Sequence, residues 1–327
     1  MDIYESDFVF VNEINDDYFT SKETATYFQM VLKRFFSEKK AVVGLAIVLV
    51  IMLLAVFGPI FARHTYSEII SVKVDGKEIA ATCVKPTLGI SEDDPEHYMF
   101  AGETFLFGTD DLGRDLFART TRGARVSVLI AFVTILIDVI FGISFGLVSG
   151  YIGGKVDAVM QRFIEIVNSV PRLVIVSILA IFMPKGIGLV IVALAITEWI
   201  PMSKIARAQM LKIKNLEFVM ASRTLGASDA RIIFSDVLPN SLGQLVTQVL
   251  VSIPGAIFTE SFLSFVGVGI MPPECSIGSL IEAGFQNLTI LPYQIVPPTL
   301  TLALLMIGFN AIGEGIKKAT TVGLGDI

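Results

Sequence analysis

Few residues in the sequence could carry out chemistry, and three of them occupy unusual positions. Asp138, Glu198 and Glu260 each lie inside a long apolar run of the chain. An ionised carboxylate in such a run is costly to bury, so it usually faces other helices or a water-filled path. We therefore take these three residues as candidates for a pathway or a gate, with a purely structural helix contact as the alternative for each.

The other reactive residue types are too scarce for a catalytic or metal site of the usual kinds. The chain has two histidines, His64 and His97, and two cysteines, Cys83 and Cys275. Neither pair supplies a zinc-binding set, although the cysteines could form a disulfide if both lie outside. The Gly-Gly-Lys-Val run at 153–156 lacks the first glycine and the Ser or Thr of a phosphate-binding loop. The sequence therefore predicts no catalytic residue, metal site or cofactor in this chain.

Composition identifies the solvent around these residues. Hydrophobic residues make up 53% of the 327 residues, charged residues make up 17%, and the mean hydropathy is +0.71. A soluble domain carries about 25% charged residues, so this chain lacks the charge to coat a water-facing surface. The net charge of −6 also argues against nucleic-acid binding. We predict an all-α integral membrane protein, a polytopic helical bundle.

Long stretches with little charge mark the membrane-spanning segments, since about 20 apolar residues cross a hydrocarbon core as a helix. We count about six spans. The run at 173–203 is broken at Pro184-Lys185-Gly186 and predicts a tight hairpin of two short helices. The run at 237–273 exceeds one crossing, and Pro239 and Pro254 predict a bent span followed by a re-entrant piece. The remaining charge-poor runs are 41–62, 126–154 and 283–313.

Three glycines repeat every four residues in the second span. Gly142, Gly146 and Gly150 would lie on one face of that helix. Small residues at this spacing let two helices approach closely. The sequence therefore predicts tight packing on a partner helix and says nothing about the substrate.

The distribution of basic residues predicts the orientation. Most of the 25 Lys and Arg residues fall in 1–40, 155–172, 204–231 and near the C-terminus. Because Lys and Arg favour the cytoplasmic side of short loops, both termini are predicted to be cytoplasmic. The three arginines in 119–125 run against this rule, just before the second span.

The predicted extracytoplasmic loop holds three features. The Val-Asp-Gly-Lys run at 74–77 predicts a small hairpin turn, and an acidic stretch follows at 91–96. The run at 107–117, taken alone, predicts a polar turn that leads into an interfacial helix. At the other side, the N-terminal segment is acidic at its start and amphipathic later, which favours a solvated tail ending in an interfacial helix.

The inner segment 203–240 is the most informative part of the chain. Asn215 is placed to cap a short helix whose first turn holds Glu217, and Gly226 suits the left-handed residue that ends such a helix. Ser228 is placed to cap a second short helix that stops before Pro239. The pattern favours equally a helix lying on the membrane surface and a knob inserted into a partner's groove. The first helix would present a mostly apolar stripe formed by Leu216, Val219, Met220 and Arg223.

The run Glu217-Phe-Val-Met-Ala-Ser-Arg-Thr-Leu-Gly226, followed by Leu238-Pro239, resembles the coupling-loop motif of binding-protein-dependent ABC importer permeases. The chain most resembles the C-type membrane subunit of dipeptide and oligopeptide importers. The family pattern is Glu-Ala-Ala, a glycine four residues on, and then Leu-Pro. Met220 and Ser222 replace the Glu and the second Ala of this pattern. The other matching stretches are 107–110, 113–115, 150–157 and 260–269.

The resemblance implies a function and a set of partners. The chain would form half of a translocation pathway for di- or oligopeptides, beside a homologous second permease subunit in a prokaryotic plasma membrane. Two cytoplasmic ABC ATPase subunits would hold ATP and Mg, and an extracytoplasmic peptide-binding protein would deliver the substrate. The fold implied is the ABC importer permease fold with a cytoplasmic coupling helix. The ATPase-coupling residues carried over from the motif are Glu217, Ala221, Ser222, Gly226, Leu238 and Pro239.

The predicted organisation follows from the spans and the resemblance together. It comprises an N-terminal tail with an interfacial helix at 1–40, a first transmembrane helix at 41–62, an extracytoplasmic loop at 63–122, a permease domain at 123–315 and a cytoplasmic tail at 316–327.

Alternative functions remain open to different degrees. Import of nickel or glutathione would use a similar permease, because selectivity largely resides in the separate binding protein. A secondary transporter is disfavoured, since no two halves of the chain match in hydropathy. An intramembrane enzyme is also disfavoured, because no span holds a histidine, a Gly-x-Ser-x-Gly motif or paired carboxylates at helical spacing.

Overall fold

The computed structural model describes residues 27–74, 77–86 and 104–321. Four sequence features lie outside these ranges: the acidic start of the N-terminal tail, the centre of the predicted hairpin turn, the acidic run of the loop and the C-terminal end. Within them the helices are α1 (Tyr27–Ser37), α2 (Lys39–Phe61), α3 (Leu116–Ile152), α4 (Gly154–Ser169), α5 (Arg172–Phe182), α6 (Ile187–Thr197), α7 (Trp199–Ile213), α8 (Glu217–Thr224), α9 (Asp229–Phe265), α10 (Ile277–Gln286) and α11 (Val296–Thr321).

The described helices form the predicted membrane bundle. Five segments are long and apolar enough to cross a membrane, with mean hydropathies between 1.4 and 3.0. They are α2, α3, the joined pair α6–α7, α9 and α11. The pair α4–α5, bent by 80°, makes up to six if it counts as one span. The predicted all-α polytopic fold is therefore confirmed.

Two short helices with a break between them form the predicted hairpin. Helix α5 ends at Phe182 and α6 starts at Ile187. The turn between them places Gly186 at φ 148°, a conformation that side-chain-bearing residues rarely adopt. The Lys185 ammonium donates to the carbonyl of Gly267, which fastens the hairpin tip to the end of α9.

Helix α9 corrects two predictions about its prolines. The helix runs without interruption from Asp229 to Phe265, so no re-entrant piece precedes Pro272, and the helix capped by Ser228 does not stop before Pro239. A π-helical turn over Ile232–Val237 immediately precedes Pro239. Such turns shift the hydrogen-bond register and accommodate a residue that has no N–H, so proline here does not end the helix.

The run 283–313 was predicted to form the last helix, entered through Pro292, Pro297 and Pro298, and the structure divides it between two helices. Helix α10 ends at Gln286, a single 3₁₀ turn covers Pro292–Gln294, and α11 starts at Val296. Because α11 extends to Thr321, its last turns include part of the segment predicted as a tail. The prolines at 292, 297 and 298 therefore lie at the beginning of a helix, where missing N–H groups cost nothing.

The glycine stripe packs against a helix of the same chain. A Cβ atom added to Gly142 would lie 2.8 Å from the carbonyl oxygen of Trp199, and one added to Gly146 would overlap the carbonyl oxygen of Ser203. Gly150 meets Met210 in the same way. The predicted partner helix is therefore α7, and the second half of α3 and α7 form one tightly packed pair.

The remaining helices and a hairpin close the bundle. Strands β1 (Ser71–Val74) and β2 (Lys77–Ala80) pair antiparallel around the predicted turn. Helix α2 packs on α3 and α11, and α1 packs on α11, with Phe35 buried and Glu38 ion-paired to Lys318 at 3.0 Å. We refer to the end of the bundle that carries β1–β2 as the hairpin end and to the opposite end as the α8 end.

Candidate functional site: the coupling segment and the membrane carboxylates

Helix α8 ends in a motif that requires the predicted glycine. Gly226 has φ +81°, and its N–H donates to the carbonyl of Arg223 at 3.0 Å. The next N–H, from Ala227, donates to the carbonyl of Ser222 at 3.1 Å. These two bonds are the Schellman arrangement, in which a left-handed residue turns the chain sharply at a helix end. A Cβ at Gly226 would meet nothing within 4 Å, so the requirement is conformational and not one of space.

One face of α8 is fixed to the bundle while the other is open. Val219 is fully buried, in a cluster with Ile213 of α7 and Ile232 of α9. On the open side Leu225 is 88% exposed. The other exposed apolar side chains of the segment are Leu216, Phe218 and Met220. Burial of one apolar face together with exposure of another is typical of a helix that docks into a partner.

The structure confirms one predicted helix cap in this segment and contradicts the other. Ser228 caps the start of α9, accepting a hydrogen bond from the N–H of Arg231 at 3.4 Å. Asn215 does not cap α8, because the cap position is Leu216 and no side chain bonds the first turn. Glu217 alone faces that turn, where a carboxylate suits the positive end of the helix dipole.

A polar contact holds α8 to the end of α3. The guanidinium of Arg223 lies over the ring of Tyr151, 5.6 Å from its centroid. The Tyr151 hydroxyl in turn donates to Asp229, near the start of α9, at 2.5 Å. Helix α8 is thereby connected to α3 and α9 as well as to α7.

The predicted coupling residues fall into two groups. Glu217 and Ala221 are exposed on α8, Ser222 is half-buried there, and Gly226 follows in the turn. Leu238 and Pro239 lie on α9 after the π-helical turn, with Leu238 packed against the buried cluster below α8. The structure therefore brings the first group together on the exposed helix and places Leu238 against the cluster that supports it, whereas Pro239 is exposed on α9.

A partly buried ion pair connects α7 to the first turn of α4. The Arg207 guanidinium donates to both oxygens of Asp157, at 2.7 and 2.6 Å. Asp157 also accepts from the Ser149 hydroxyl at 2.5 Å, and Lys214 donates to the carbonyl of Gly150 at 2.7 Å. The matching stretch 150–157 is thus the part of the chain that locks α3 to α7.

Glu198 is ion-paired inside the bundle to a residue that sequence reasoning missed. The guanidinium of Arg172, at the start of α5, lies 2.7 Å from a carboxylate oxygen of Glu198, at the junction of α6 and α7. The same guanidinium donates to the Thr259 hydroxyl on α9 at 3.0 Å. Arg172 follows directly after Pro171, and the sequence places it at the end of the basic segment 155–172, just before the predicted hairpin run, so no pattern singled it out.

Asp138 lies in a π-helical turn of α3 and is 1% exposed. One of its carboxylate oxygens has no hydrogen-bond partner among the described residues. The predicted contact with hydroxyl groups is therefore absent at that oxygen. Asp138 lies about one helical turn before Gly142. Its π-helical turn packs against α7, at the level of Glu198.

Glu260 is fully buried within a ring of hydroxyl donors. The Ser127 hydroxyl on α3 donates to it at 2.6 Å, and the Ser264 hydroxyl one turn along α9 donates at 2.9 Å. Ser127 also accepts the N–H of Ile277, the first residue of α10, at 3.2 Å. Glu260 therefore ties three helices together at the hairpin end and has no surface on which a substrate could rest in this conformation.

The stretch 107–115 fastens the loop after α2 to the rest of the bundle. The Asp110 carboxylate pairs with Arg114 at 2.7 Å and with Arg119 at 3.3 Å. The Thr109 carbonyl accepts from Gln294, before α11, at 3.3 Å. Asp115 then caps α3 through the N–H of Phe117 at 2.8 Å. The stretch therefore anchors the loop through these ion pairs and hydrogen bonds and is not merely a polar turn.

The three arginines that run against the orientation rule each have a structural partner. Arg119 pairs with Asp110, and Arg122 donates to both oxygens of Glu274, at 3.0 Å each. Arg125 donates twice to the carbonyl of Ala55, at 3.0 and 2.6 Å. In a regular helix that carbonyl would accept from residue 59, which is proline and has no N–H. These arginines are held by specific contacts, so their charges carry little information on orientation.

The structure contains no disulfide between Cys83 and Cys275. The Cys275 thiol is buried after α9 and donates to the carbonyl of Arg119 at 3.4 Å. Burial raises the pKa of this thiol to about 11. Among the described residues no three His, Cys, Asp or Glu side chains come together as metal ligands would.

Comparison with known proteins assigns the chain to a family. The family described as "Binding-protein-dependent transport system inner membrane component" matches residues 142–320, and "N-terminal TM domain of oligopeptide transport permease C" matches residues 26–75. The first match begins inside the π-helical turn of α3 and ends within α11, so it includes the coupling segment and the pairs that support it.

Curated relatives match most of their own length. The oligopeptide transport system permease protein OppC of Bacillus subtilis (strain 168) is 38% identical over 91% of this chain and 90% of its own. The dipeptide transport system permease protein DppC of the same strain is 36% identical over 91% of this chain and 86% of its own. OppC of Escherichia coli (strain K12) is 34% identical over 91% of each chain.

A solved structure shares the fold. A chain of the inward-facing MetNI methionine ABC transporter matches 62% of this chain and 96% of its own with a TM-score of 0.53 and 20% identity. At that identity the likeness shows the fold alone. Together, a family match over more than half of the chain and relatives above 30% identity over nearly its full length show that the chain belongs to the binding-protein-dependent transport system inner membrane components, the permease subunits of ABC importers.

Proposed function

We propose that the chain is one of two non-identical membrane subunits of an ATP-driven importer for di- or oligopeptides. The single observation that carries this proposal is helix α8, which is anchored on one face through Val219 and exposes apolar side chains such as Leu225 on the other. A membrane protein without a phosphate-binding loop needs such a surface if ATP hydrolysis in a partner subunit is to drive its transport. Named relatives that transport oligopeptides and dipeptides support the substrate class.

The contacts around α8 indicate how a displacement of α8 would be transmitted to the membrane helices. Val219 packs with Ile213 at the end of α7, so displacement of α8 acts on α7 directly. The glycine stripe joins α7 to the second half of α3. Arg207 of α7 also pairs with Asp157 of α4, which accepts from Ser149 of α3, so these helices form one arm. Because tightly packed interfaces shift as units and do not deform continuously, this arm carries the movement to Glu198.

The partners and orientation follow from that arm. We place the α8 end and both termini in the cytoplasm, where two ABC ATPase subunits would bind α8 and would hold ATP and Mg. An extracytoplasmic binding protein would dock at the hairpin end. A homologous second permease subunit would complete the pathway, because five or six spans from one chain form only half of a two-subunit pore.

The substrate itself is decided by an uptake experiment on the assembled importer. The complete complex is reconstituted in proteoliposomes, and uptake of a labelled tripeptide, of nickel and of glutathione is measured with the ATPase subunits present and omitted. We expect ATP-dependent uptake of the tripeptide alone, and none without the ATPases. Uptake of nickel or glutathione would replace the peptide assignment. Uptake driven by an ion gradient without the ATPases would reject the importer mechanism.

A further inference from the structure

Helix α4 of the bent pair α4–α5 carries an exposed polar stripe on one of its faces. Its members recur at steps of three and four residues, so in a regular helix they lie on one face. Side chains of the first two, Arg162 and Glu165, are 75% and 60% exposed and pair with each other at 2.5 Å. Ser169 follows, also exposed. Past the 80° bend at Pro171, where helical spacing no longer fixes the face, Arg172 is the first residue of α5, and its side chain is 45% exposed.

The other two faces of α4 are accounted for. Ile164 is 2% exposed and points into the chain's own core. The next face around the helix is apolar and open, with Val159 70% exposed and Ile166 60% exposed, as expected of a surface that meets lipid tails. The polar stripe lies between these faces. An arginine pointing from it into hydrocarbon would be strongly unfavourable, so the stripe faces water or protein.

Arg172 lies directly after the bend with part of its binding capacity unused. A guanidinium has five N–H donors, and the structure gives this one the carboxylate of Glu198 at 2.7 Å and the Thr259 hydroxyl at 3.0 Å. Glu198 approaches from the buried side, since its side chain is only 10% exposed. The open edge of the guanidinium is therefore available to a second acceptor that arrives from the exposed side.

We propose that Arg172 lines the translocation pathway and binds the carboxylate of the transported substrate as it passes. This inference rests on the proposed function, since the carboxylate would be the C-terminus of a peptide. Guanidinium and carboxylate form short, charge-assisted bonds with defined geometry, and a fixed Glu198 keeps the side chain from turning away. Because Glu198 starts α7, an incoming carboxylate that competes for Arg172 acts on the arm that leads to α8.

The first test asks whether Arg172 faces water. In a background carrying Cys83→Ser and Cys275→Ala, the variants Arg172→Cys and Val174→Cys are compared in the reconstituted importer with a membrane-impermeant anionic methanethiosulfonate. The two native side chains are similarly exposed in the single chain, at 45% and 44%, but point to opposite sides of α5. We expect Arg172→Cys to react at least about tenfold faster, because the reagent needs an ionised thiol in water. Equal rates would overturn the proposal, as would protection of Arg172→Cys by the second permease subunit alone.

The second test asks what Arg172 binds. Uptake of a tripeptide with a free C-terminal carboxylate is compared with uptake of the same tripeptide amidated, in wild type, Arg172→Lys and the charge-balanced double variant Arg172→Gln with Glu198→Gln. Taking the acid-to-amide ratio of each variant against wild type cancels the preference of the binding protein. In the double variant the acid-to-amide ratio should fall about tenfold, which is the effect of losing one charge-assisted contact. In Arg172→Lys the ratio should fall by less. A ratio unchanged from wild type in an assembled, ATP-hydrolysing complex would overturn the proposal.

The two tests also separate this inference from the proposed function. If the wild-type importer takes up no peptide at all, the peptide assignment fails, while the labelling rates still report whether Arg172 faces water. If peptide uptake is ATP-dependent but both tests give the overturning result, the importer stands and Arg172 has only a structural role.

Discussion

The guanidinium of Arg207 grips both oxygens of Asp157 at 2.7 and 2.6 Å, joining the middle of α7 to the first turn of α4. This pair stands between the exposed helix α8 and the charges within the membrane. The Asp157 side chain is 13% exposed, so solvent screens the pair only in part. It is a two-bond, charge-assisted contact within the proposed arm.

Breaking this pair should uncouple ATP hydrolysis from transport. Asp157→Asn and Arg207→Gln should each lower the number of peptides moved per ATP by about tenfold, and the double variant should be no worse, since both act on one contact. Lys318→Gln, which removes the more exposed pair with Glu38, is the matched control and should have no effect. Additive losses in the double variant would show that the two residues act separately.

Gly226 should tolerate only residues that accept a left-handed backbone. Gly226→Val should cost more than about 1 kcal/mol at the end of α8 and abolish uptake, while membrane insertion persists. Gly226→Asn should retain uptake, because asparagine adopts this conformation more readily. Uptake and ATPase activity of both variants check this expectation. Normal coupling in a stable Gly226→Val protein would contradict the role given to the turn.

Glu260 should behave as a tie between helices and not as a substrate contact. Glu260→Gln keeps the shape but removes an acceptor from the hydroxyls of Ser127 and Ser264, which should loosen the junction by about 1–3 kcal/mol. We expect raised basal ATPase and leak, with the same result from Ser127→Ala. Slower uptake at unchanged basal ATPase would instead indicate contact with peptide. Wild-type values for both would remove any functional role, and loss of the complex would indicate a purely structural one.

The bond from Arg125 to the Ala55 carbonyl should matter because of Pro59. Arg125→Ala should lower the stability of the purified complex by about 1–3 kcal/mol, since it leaves the carbonyl of the buried Ala55 without a donor. In a Pro59→Ala background the helix can supply its own N–H to that carbonyl, so the same substitution should cost about 1 kcal/mol less. Thermal unfolding of the four proteins measures this cycle. Equal losses in both backgrounds would reject the compensation.

Sequence reasoning predicted what depends on local pattern. The membrane class, the break at Pro184-Lys185-Gly186 and the left-handed turn at Gly226 were correct, because each follows from composition or from one backbone conformation. The continuation of α9 through Pro239 and Pro254 was not predicted. Whether proline ends a helix depends on neighbouring helices and on a π-helical turn, neither of which has a recognisable sequence pattern.

The partners of the charged residues could not be read from the sequence either. Glu260 and its donor Ser127 are far apart in the chain, as are Arg172 and Glu198. Only the packing of α3 on α9, and of α5 beside the α6–α7 junction, brings each pair together. The same reason explains why Arg125 departs from the orientation rule, since its charge is bound to a helix carbonyl. Spacing within one element predicts a face, whereas contacts between elements depend on the tertiary fold.

The central claim is that α8 receives the ATPase subunits, and cross-linking tests it most directly. Leu225→Cys, whose native side chain is 88% exposed beside Gly226, is labelled in the assembled importer with a maleimide that carries a photoreactive benzophenone, which inserts into C–H bonds of any adjacent protein, in the Cys83→Ser and Cys275→Ala background. Leu112→Cys, whose native side chain is 50% exposed at the hairpin end, is the control. The account predicts a cross-link from Leu225→Cys to an ATPase subunit that changes with bound nucleotide, and none from Leu112→Cys. A cross-link to the ATPase from Leu112→Cys, or none from Leu225→Cys in a complex that hydrolyses ATP, would contradict it.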